Sequence, residues 1–451
     1  MRREEAEEIY DTNAVFNYLL DKDKLAVALT RHPVDLFIGV TQTKVGKLAF
    51  IVIKRTIAAK KIISPFTIED IDGNWMHQFR EVLSNLTINE QRQNGGFDKE
   101  TYMSDVEKIK EEGKLLFDHL IPGEMQDFVK EYKSVWYTME DKDLVDKIVA
   151  ELHAGKTEKL KTIFEDKQPT GTITIMNEKD DEWEILEEMN REEQKTYYAY
   201  NIKKEDEKLK VYKTIDSVWI NYDLKKTDQE KIDPVWELLY VSGLPNGEEF
   251  FWCDRFSIAR VDANYDFPEP QIQIGDRIKV AIISNDQEYA NEERDYLNAH
   301  VNGDMTEIRK CDEIRRLDDK IFNILHLATH YDGNREIGLE DGGISVGRIN
   351  RKLLASNIVF MNTCNTQDRI CFVVPITLGN VFKNKNAWIG TNWMIVGQPA
   401  SDFAKCFYDN FLHGIPIARS VKEARKKIRD TNIMYLAYTV YGHPFTRLVR
   451  V

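Results

Sequence analysis

A chain of 451 residues that is 42% hydrophobic and 11% aromatic can fill more than one core, which excludes a disordered or fibrous protein. Its formal net charge of -14 argues against direct nucleic-acid binding, because neutralising phosphates takes a surplus of Lys and Arg. No apolar run approaches the ~20 residues that cross a bilayer, and the charged start MRREEAEEIY lacks a signal-peptide core, so a cytoplasmic protein without membrane contact is expected.

The first clear period is VDLFIGVTQTKVGKLAFIVIKR, two apolar strands (Val34 to Val40, Leu48 to Lys54) around a turn with Gly46, which reads as a hairpin. NWMHQFREVLSNL places Trp75, Phe79, Val82 and Leu86 three or four apart, and VEKIKEEGKLLFDHLIP does the same with Val106, Ile109, Leu116, Phe117 and Leu120 before Pro122. Both predict amphipathic helices. From Lys142 to Tyr222 the character changes, with the acidic block NEKDDEWEILEEMNREEQK among Lys-rich and β-prone pieces. This predicts an insertion over 142–222 whose charges form a solvated surface. NYDFPEPQIQIGDR, with two prolines and no helical period, predicts a linker. The expected division is an N-terminal lobe over 1–265 and a second domain over 271–451.

After Arg277 strands and helices alternate. The strands KVAIIS, MTEIRK, FNILHLA, NIVFMNT and NAWIGTNW are interleaved with helices NEERDYLNAHV, GRINRKLLA and ASDFAKCFYDNFL. This pattern predicts an α/β fold with a mostly parallel sheet covered on both faces. In the last helix Phe403, Ala404, Phe407, Tyr408 and Phe411 share one face and predict a core stripe. KEARKKIR reads as a solvated helix face.

Open sheets of this type collect ligands beyond the carboxyl ends of their strands. FNILHLA leads to His330, and IVFMNTC ends on Cys364. If the two strands are parallel neighbours joined by a right-handed crossover, histidine and cysteine share one rim. A thiol is already a few per cent ionised near neutrality, so an adjacent imidazole suffices to make it a nucleophile. The backbone amides of Tyr331 and Cys364 are the candidate oxyanion donors. The plain alternative is a packed thiol and a satisfied histidine.

The five cysteines (Cys253, Cys311, Cys364, Cys371 and Cys406) are odd in number and irregular in spacing, so reduced thiols are expected. His326 and His330 would share a metal on a helix, but on a strand they lie about 13 Å apart, too far for one zinc. No metal or other cofactor is expected, and His326 is expected to pack along the sheet.

These residues resemble the CHAT peptidases, caspase-like cysteine proteases related to separases and caspases. The similarity rests on HLATH with His330, IVFMNTCNT with Cys364, AWIGTNW followed by FAKCFYDNFLHGIPIARSVKEAR, and DPVWELL (Asp233 to Leu239), a Pro-Trp-Glu-Leu-Leu segment carrying an inserted Val235. The resemblance implies a degenerate, pseudo-protease N-terminal lobe before a caspase-like active domain. It also implies an endopeptidase with Cys364 as nucleophile and His330 as base, acting on a protein substrate. Such proteins are commonly prokaryotic, and some act in stress or anti-phage defence under a sensor or activator protein.

Asn362, Asp368, Asn392 and Trp393 are the candidate substrate-binding residues. Three departures stand out. Tyr331 replaces the glycine usual after the histidine, Gly397 and Asn362 occupy positions that are often acidic, and Gln367–Asp368–Arg369 replaces small residues. The rival readings are a scaffold or regulator of the same fold that has lost efficient catalysis, and a nucleotide-sensing α/β domain. The chain has no Gly-rich phosphate loop to support the latter.

Overall fold

The structure is a computed structural model and describes residues 23–32, 34–42, 47–54, 60–67, 99–120, 133–165, 171–191, 194–223, 251–262, 267–285, 288–315, 321–332, 336–345, 356–364, 386–391 and 397–450, with positions 123, 124, 126, 265, 317 and 395. Helix α1 (Asp23–Arg31) precedes β1 (Leu36–Gln42) and β2 (Lys47–Lys54). The two strands pair antiparallel as the apolar alternation requires, and β3 (Lys60–Thr67) adds to β2. Helix α2 (Lys99–Leu120) covers the expected 106–120 segment, burying Val106 and Ile109. The predicted helix around Trp75 and the DPVWELL segment lie outside the described residues.

A second sheet follows, built from β4 (Lys133–Met139), β5 (Thr172–Lys179), β6 (Glu182–Arg191), β7 (Gln194–Glu205) and β8 (Lys208–Thr214), antiparallel in the order β4-β8-β7-β6-β5. Helices α3 (Lys142–His153) and α4 (Leu160–Glu165) close its outer face. Asp141 caps α3 by accepting from Leu144 N at 3.1 Å, and Val145, Ile148, Val149 and Leu152, three or four apart, bury against Trp183, Ile185 and Ile202. The five-stranded unit thus carries a core of its own. It spans Lys133–Thr214, whereas the next strand, β9 (Ser217–Asp223), pairs parallel with β1 in the main sheet.

The main sheet continues through β10 (Ser257–Asp262) and, beyond the short β11 (Gln271–Ile274), through β12 (Ile278–Ser284), α5 (Glu288–His300), β13 (Gly303–Ile308) and β14 (Ile324–Asp332). A hairpin of β15 (Glu336–Leu339) and β16 (Gly342–Ser345) precedes β17 (Ile358–Cys364) and β18 (Ala387–Thr391). Helices α6 (Gly397–Phe411) and α7 (Ile417–Ile428), then β19 (Tyr438–Gly442) and β20 (Arg447–Arg450), complete the order. The predicted helix GRINRKLLA and segment FVVPITLGNVF lie outside the described residues. The sheet order is β13-β12-β14-β17-β18-β19-β10-β9-β1-β2-β3, parallel throughout except at β18/β19 and in the β1-β2-β3 meander. It is the mixed α/β, mostly parallel sheet flanked by helices that the sequence predicts.

One sheet therefore runs through both halves of the chain, and β19 is the strand that joins them. At the joint Tyr441 stacks on Trp388 with ring centroids 3.7 Å apart, and the Arg260 guanidinium lies 4.3 Å from the Tyr441 ring. Gln271–Ile274, inside the stretch read as a linker, forms a two-stranded sheet with β20. Gly442 ends β19 at φ 117°, and a Cβ there would stand 2.5 Å from the Asn386 carbonyl oxygen and 2.8 Å from Ala387 Cα. Gly442→Ala should therefore lower unfolding stability by about 1–3 kcal/mol, read from the denaturant midpoint.

The period of two divides the sheet's cores. Val280, Ile282, Ile324, Ile358, Phe360 and Val440 join the cluster under α5, α6 and α7, while Ala281, Ile283, Leu325, Leu327, Val359 and Met361 join the one on the other face. The stripe of α6 is buried as predicted, with Phe403 stacked on Tyr438 at 3.5 Å between centroids.

Two charge runs differ from expectation. In KEARKKIR, Lys422, Glu423 and Arg425 are buried in α7 instead of forming a solvated face, as is Arg419 one turn before them, and the acidic block is not solvated throughout. Glu184 of β6 lies 2.8 Å from Arg419 and 3.1 Å from Lys422 and also pairs with Lys426, while Glu188 meets Arg447 at 3.0 Å. Asp216 adds contacts of 2.8 Å to Arg419 and 2.9 Å to Lys422. Opposite charges from segments far apart in sequence have desolvated one another.

Candidate active site

The parallel ladder of β14 and β17 pairs Ile324 with Ile358 and runs without a slip to His330 opposite Cys364. The two positions thus stand side by side at the last rung, at the carboxyl end of adjacent parallel strands, which meets the condition set by the sequence reading. Strand β14 itself continues to Asp332, because past the rim Tyr331 and Asp332 find partners in Ile337 and Glu336 of β15. Thr329 is anchored there too, its hydroxyl donating to the Gly338 carbonyl.

Tyr331 sits in this extended pairing, and among the described residues it is not one of the non-glycine positions with positive φ. In this extended conformation position 331 does not require a glycine.

Positions 326 and 328 of β14 and 360 and 362 of β17 share the sheet face that carries α5 and α6. Below the last rung this face holds a buried polar cluster. Asn362 donates from Nδ2 to Glu293 Oε1 at 2.7 Å and to the Ala400 carbonyl at 3.1 Å, and its Oδ1 accepts from the Tyr438 hydroxyl at 2.7 Å. Both amide hydrogens of Asn362 are therefore committed inside the protein. His326, fully buried along the sheet, has Nε2 2.7 Å from Glu293 Oε2 and Nδ1 2.9 Å from the Tyr408 hydroxyl. Burial, then the nearby Glu293 charge, holds the Tyr408 hydroxyl well above its usual range and so protonated. A carboxylate only accepts, which places a hydrogen on His326 Nε2, and the Tyr408 hydroxyl holds the other ring nitrogen.

Glu293 is the residue that sequence reasoning missed. Ala290, Glu293 and Leu297 are all buried on α5 at spacings of three and four, so a carboxylate on the helix's apolar stripe was the available signal. Its position also accounts for an amide at 362, since Asn362→Asp would set a second carboxylate against Glu293 at hydrogen-bond distance. That variant should lose about 1–3 kcal/mol at pH 7 and recover part of it at pH 5, where one of the two acids can hold a proton. Thermal midpoints at the two pH values test this.

Asp368, Asn392 and Trp393 lie outside the described residues, so the structure brings together His330, Tyr331, Asn362 and Cys364 of the predicted set. Among the described residues no group of three or more His, Cys, Asp or Glu is arranged to hold a metal ion, and no helix is long and apolar enough to cross a membrane. Two of the other cysteines are held as thiols by burial. Burial, then Asp254, pushes Cys253 well above its usual range, and burial, then Glu423 and Asp409, pushes Cys406 up to about 12.

Comparison of the sequence with protein-family models finds no match, nor does comparison with curated proteins. The structure is similar to the separase–securin complex of Saccharomyces cerevisiae, with 10% identity over 96% of this chain and 32% of the other and a TM-score of 0.46. The Arg-specific cysteine proteinase gingipain R is similar at 10% identity over 52% of this chain and 64% of the other, with a TM-score of 0.35. The pro- and mature domains of RgpB from Porphyromonas gingivalis give 10% identity, 51% and 65% coverage, and 0.34. The chain spans about a third of the length of the separase chain it matches.

Proposed function

We propose that the chain is a caspase-like cysteine endopeptidase acting through a Cys364–His330 dyad. The observation that carries this reading is the ladder rung that sets the two positions opposite one another at the carboxyl rim of adjacent parallel strands. In the reaction His330 takes the thiol proton as Cys364 attacks a peptide carbonyl, with the amides of Tyr331 and Cys364 as donors to the oxyanion. The imidazolium then protonates the leaving amine, and water hydrolyses the thioester to regenerate the thiol. Asn362 with Glu293 forms the floor beneath the bond being cut, and Asp368, Asn392 and Trp393 are assigned to the substrate pocket above it. The resemblance to CHAT peptidases extends the reading to a regulated protease of prokaryotic stress or anti-phage defence, working in the cytoplasm on a protein substrate under a sensor or activator protein.

An electrophilic peptide probe followed by mass spectrometry tests the dyad. Cys364 should be labelled selectively and His330→Ala should abolish the labelling, while Cys253 and Cys406 stay unmodified because burial keeps them as thiols. Equal modification of all five cysteines would favour the scaffold reading, in which the fold is kept and catalysis lost.

A further inference from the structure

Glu293 on α5 is only 4% exposed, and its two oxygens reach two different strands. Oε1 accepts from Asn362 Nδ2 of β17 at 2.7 Å, and Oε2 accepts from His326 Nε2 of β14 at 2.7 Å. These are the two strands whose last rung pairs His330 with Cys364. One carboxylate therefore spans the pair, two residues before Cys364 on one strand and four before His330 on the other.

A carboxylate is costly to take out of water, and apolar side chains at 293, 326 and 362 would fill the same space without that cost. What apolar side chains do not supply here is register. Strands β14 and β17 are apolar on both faces, with Ile324 and Phe360 in one core and Leu325, Leu327 and Met361 in the other. Such a strand can slip by one residue with little change in burial, so its pattern specifies register weakly.

The polar pair removes that freedom. His326 stands opposite Phe360 and Asn362 opposite Ala328, so the two occupy a diagonal on one face of the ladder. A slip of one residue would turn one of them to the other face, and a slip of two would carry it about 7 Å along the strand, beyond the reach of the second oxygen. Asn362 is fixed from two further sides, by the Ala400 carbonyl of α6 at 3.1 Å and the Tyr438 hydroxyl of β19 at 2.7 Å.

We propose that Glu293 is a positioning residue, which clamps β14 to β17 in this one register and thereby sets position 330 opposite position 364. It acts through His326 and Asn362. The clamp belongs to the fold, and only its effect on cleavage rests on the Cys364–His330 reading.

Hydrogen exchange of the full chain, followed by mass spectrometry, tests the clamp independently of activity. In Glu293→Ala the amides of 324–332 and 356–364 should exchange at least about tenfold faster than in the parent, the effect of one lost charge-assisted hydrogen bond, while those of β1 and β2 stay within about threefold. Glu293→Gln keeps an acceptor for Asn362 and turns an amide hydrogen towards His326, whose ring can then carry its hydrogen on the Tyr408 side. It should restore protection to within about threefold of the parent.

The kcat for cleavage should follow the same order with KM little changed, at least about tenfold lower in Glu293→Ala and largely recovered in Glu293→Gln, because a misplaced dyad slows the chemical step more than it weakens binding. Faster exchange spread evenly over the whole sheet would mean an ordinary loss of stability and overturn the proposal. So would unchanged exchange in the two strands, a glutamine variant as impaired as the alanine one, or an active protease whose kcat ignores the lost protection. The expected exchange in a parent that neither cleaves peptides nor reacts with a peptide probe at Cys364 would sink the protease reading and leave the clamp standing.

Discussion

Arg419→Met should lose about 3–5 kcal/mol of unfolding stability, a cost close to the whole stability of many domains. Arg419 is fully enclosed between Glu184, Asp216 and Glu423, and removing its charge leaves three buried carboxylates with too few partners. The Coulomb energy of the cluster is offset by desolvation, so the large effect comes from the orphaned acids more than from the lost attraction. A double variant, Arg419→Met with Glu184→Gln, should therefore lose less than the two single effects summed, and denaturant midpoints of the four proteins would measure the coupling.

The same cluster fixes an acid limb. Burial alone raises Glu184, but Arg419, Lys422 and Lys426 together outweigh it and hold the carboxyl well below its usual range; Asp216 is lowered in the same way by Lys422 and Arg419. A carboxyl depressed in the folded state contributes stability above its unfolded pKa, about 4, and loses it as pH falls through the folded value. Glu423, raised by burial, has the opposite sign and gives up stability as pH rises above its unfolded value. Between pH 5 and 3 the parent should thus lose stability more steeply than Arg419→Met. Parallel curves for the two proteins would contradict this account of the cluster.

Cys364→Ala should abolish peptide-bond cleavage, by at least about 10,000-fold, and His330→Ala should reduce it by about 100- to 10,000-fold. The asymmetry has a chemical origin. Without the sulfur no acyl-enzyme forms, whereas without the imidazole the thiolate fraction present at neutral pH still attacks. New protein N-termini counted in cells carrying the parent or either variant provide the measurement and identify substrates as well. In His330→Ala the residual rate should rise with pH as the thiol ionises. A flat profile in that variant would argue against Cys364 as the nucleophile.

The C-terminal half was legible because its signals are local. Strands β12, β14 and β17 are short apolar runs, the stripe of α6 repeats every three or four residues, and the rung of His330 and Cys364 could be read from the residues that close two such runs. What escaped the reading depends on partners distant in sequence. KEARKKIR and the acidic block each resemble a wet surface when taken singly, and only folding brings Lys422 and Glu184 to 3.1 Å. Glu293 was hidden for a related reason, since a carboxylate on an apolar stripe stays unexplained until Asn362 and His326 arrive from two strands. The shared sheet was illegible for the same cause, because its joint pairs residue 259 with residue 440.

That joint orders the chain's assembly in time. Strand β10 is synthesised long before β19 and β18 shortly before it, so until Tyr438–Gly442 emerges each of the two strands lacks its neighbour at the joint. A late-arriving central strand makes the nascent protein a natural client for a chaperone. It also means that a nonsense codon shortly before Tyr438 should leave two half-sheets with unpaired edges in place of one continuous sheet.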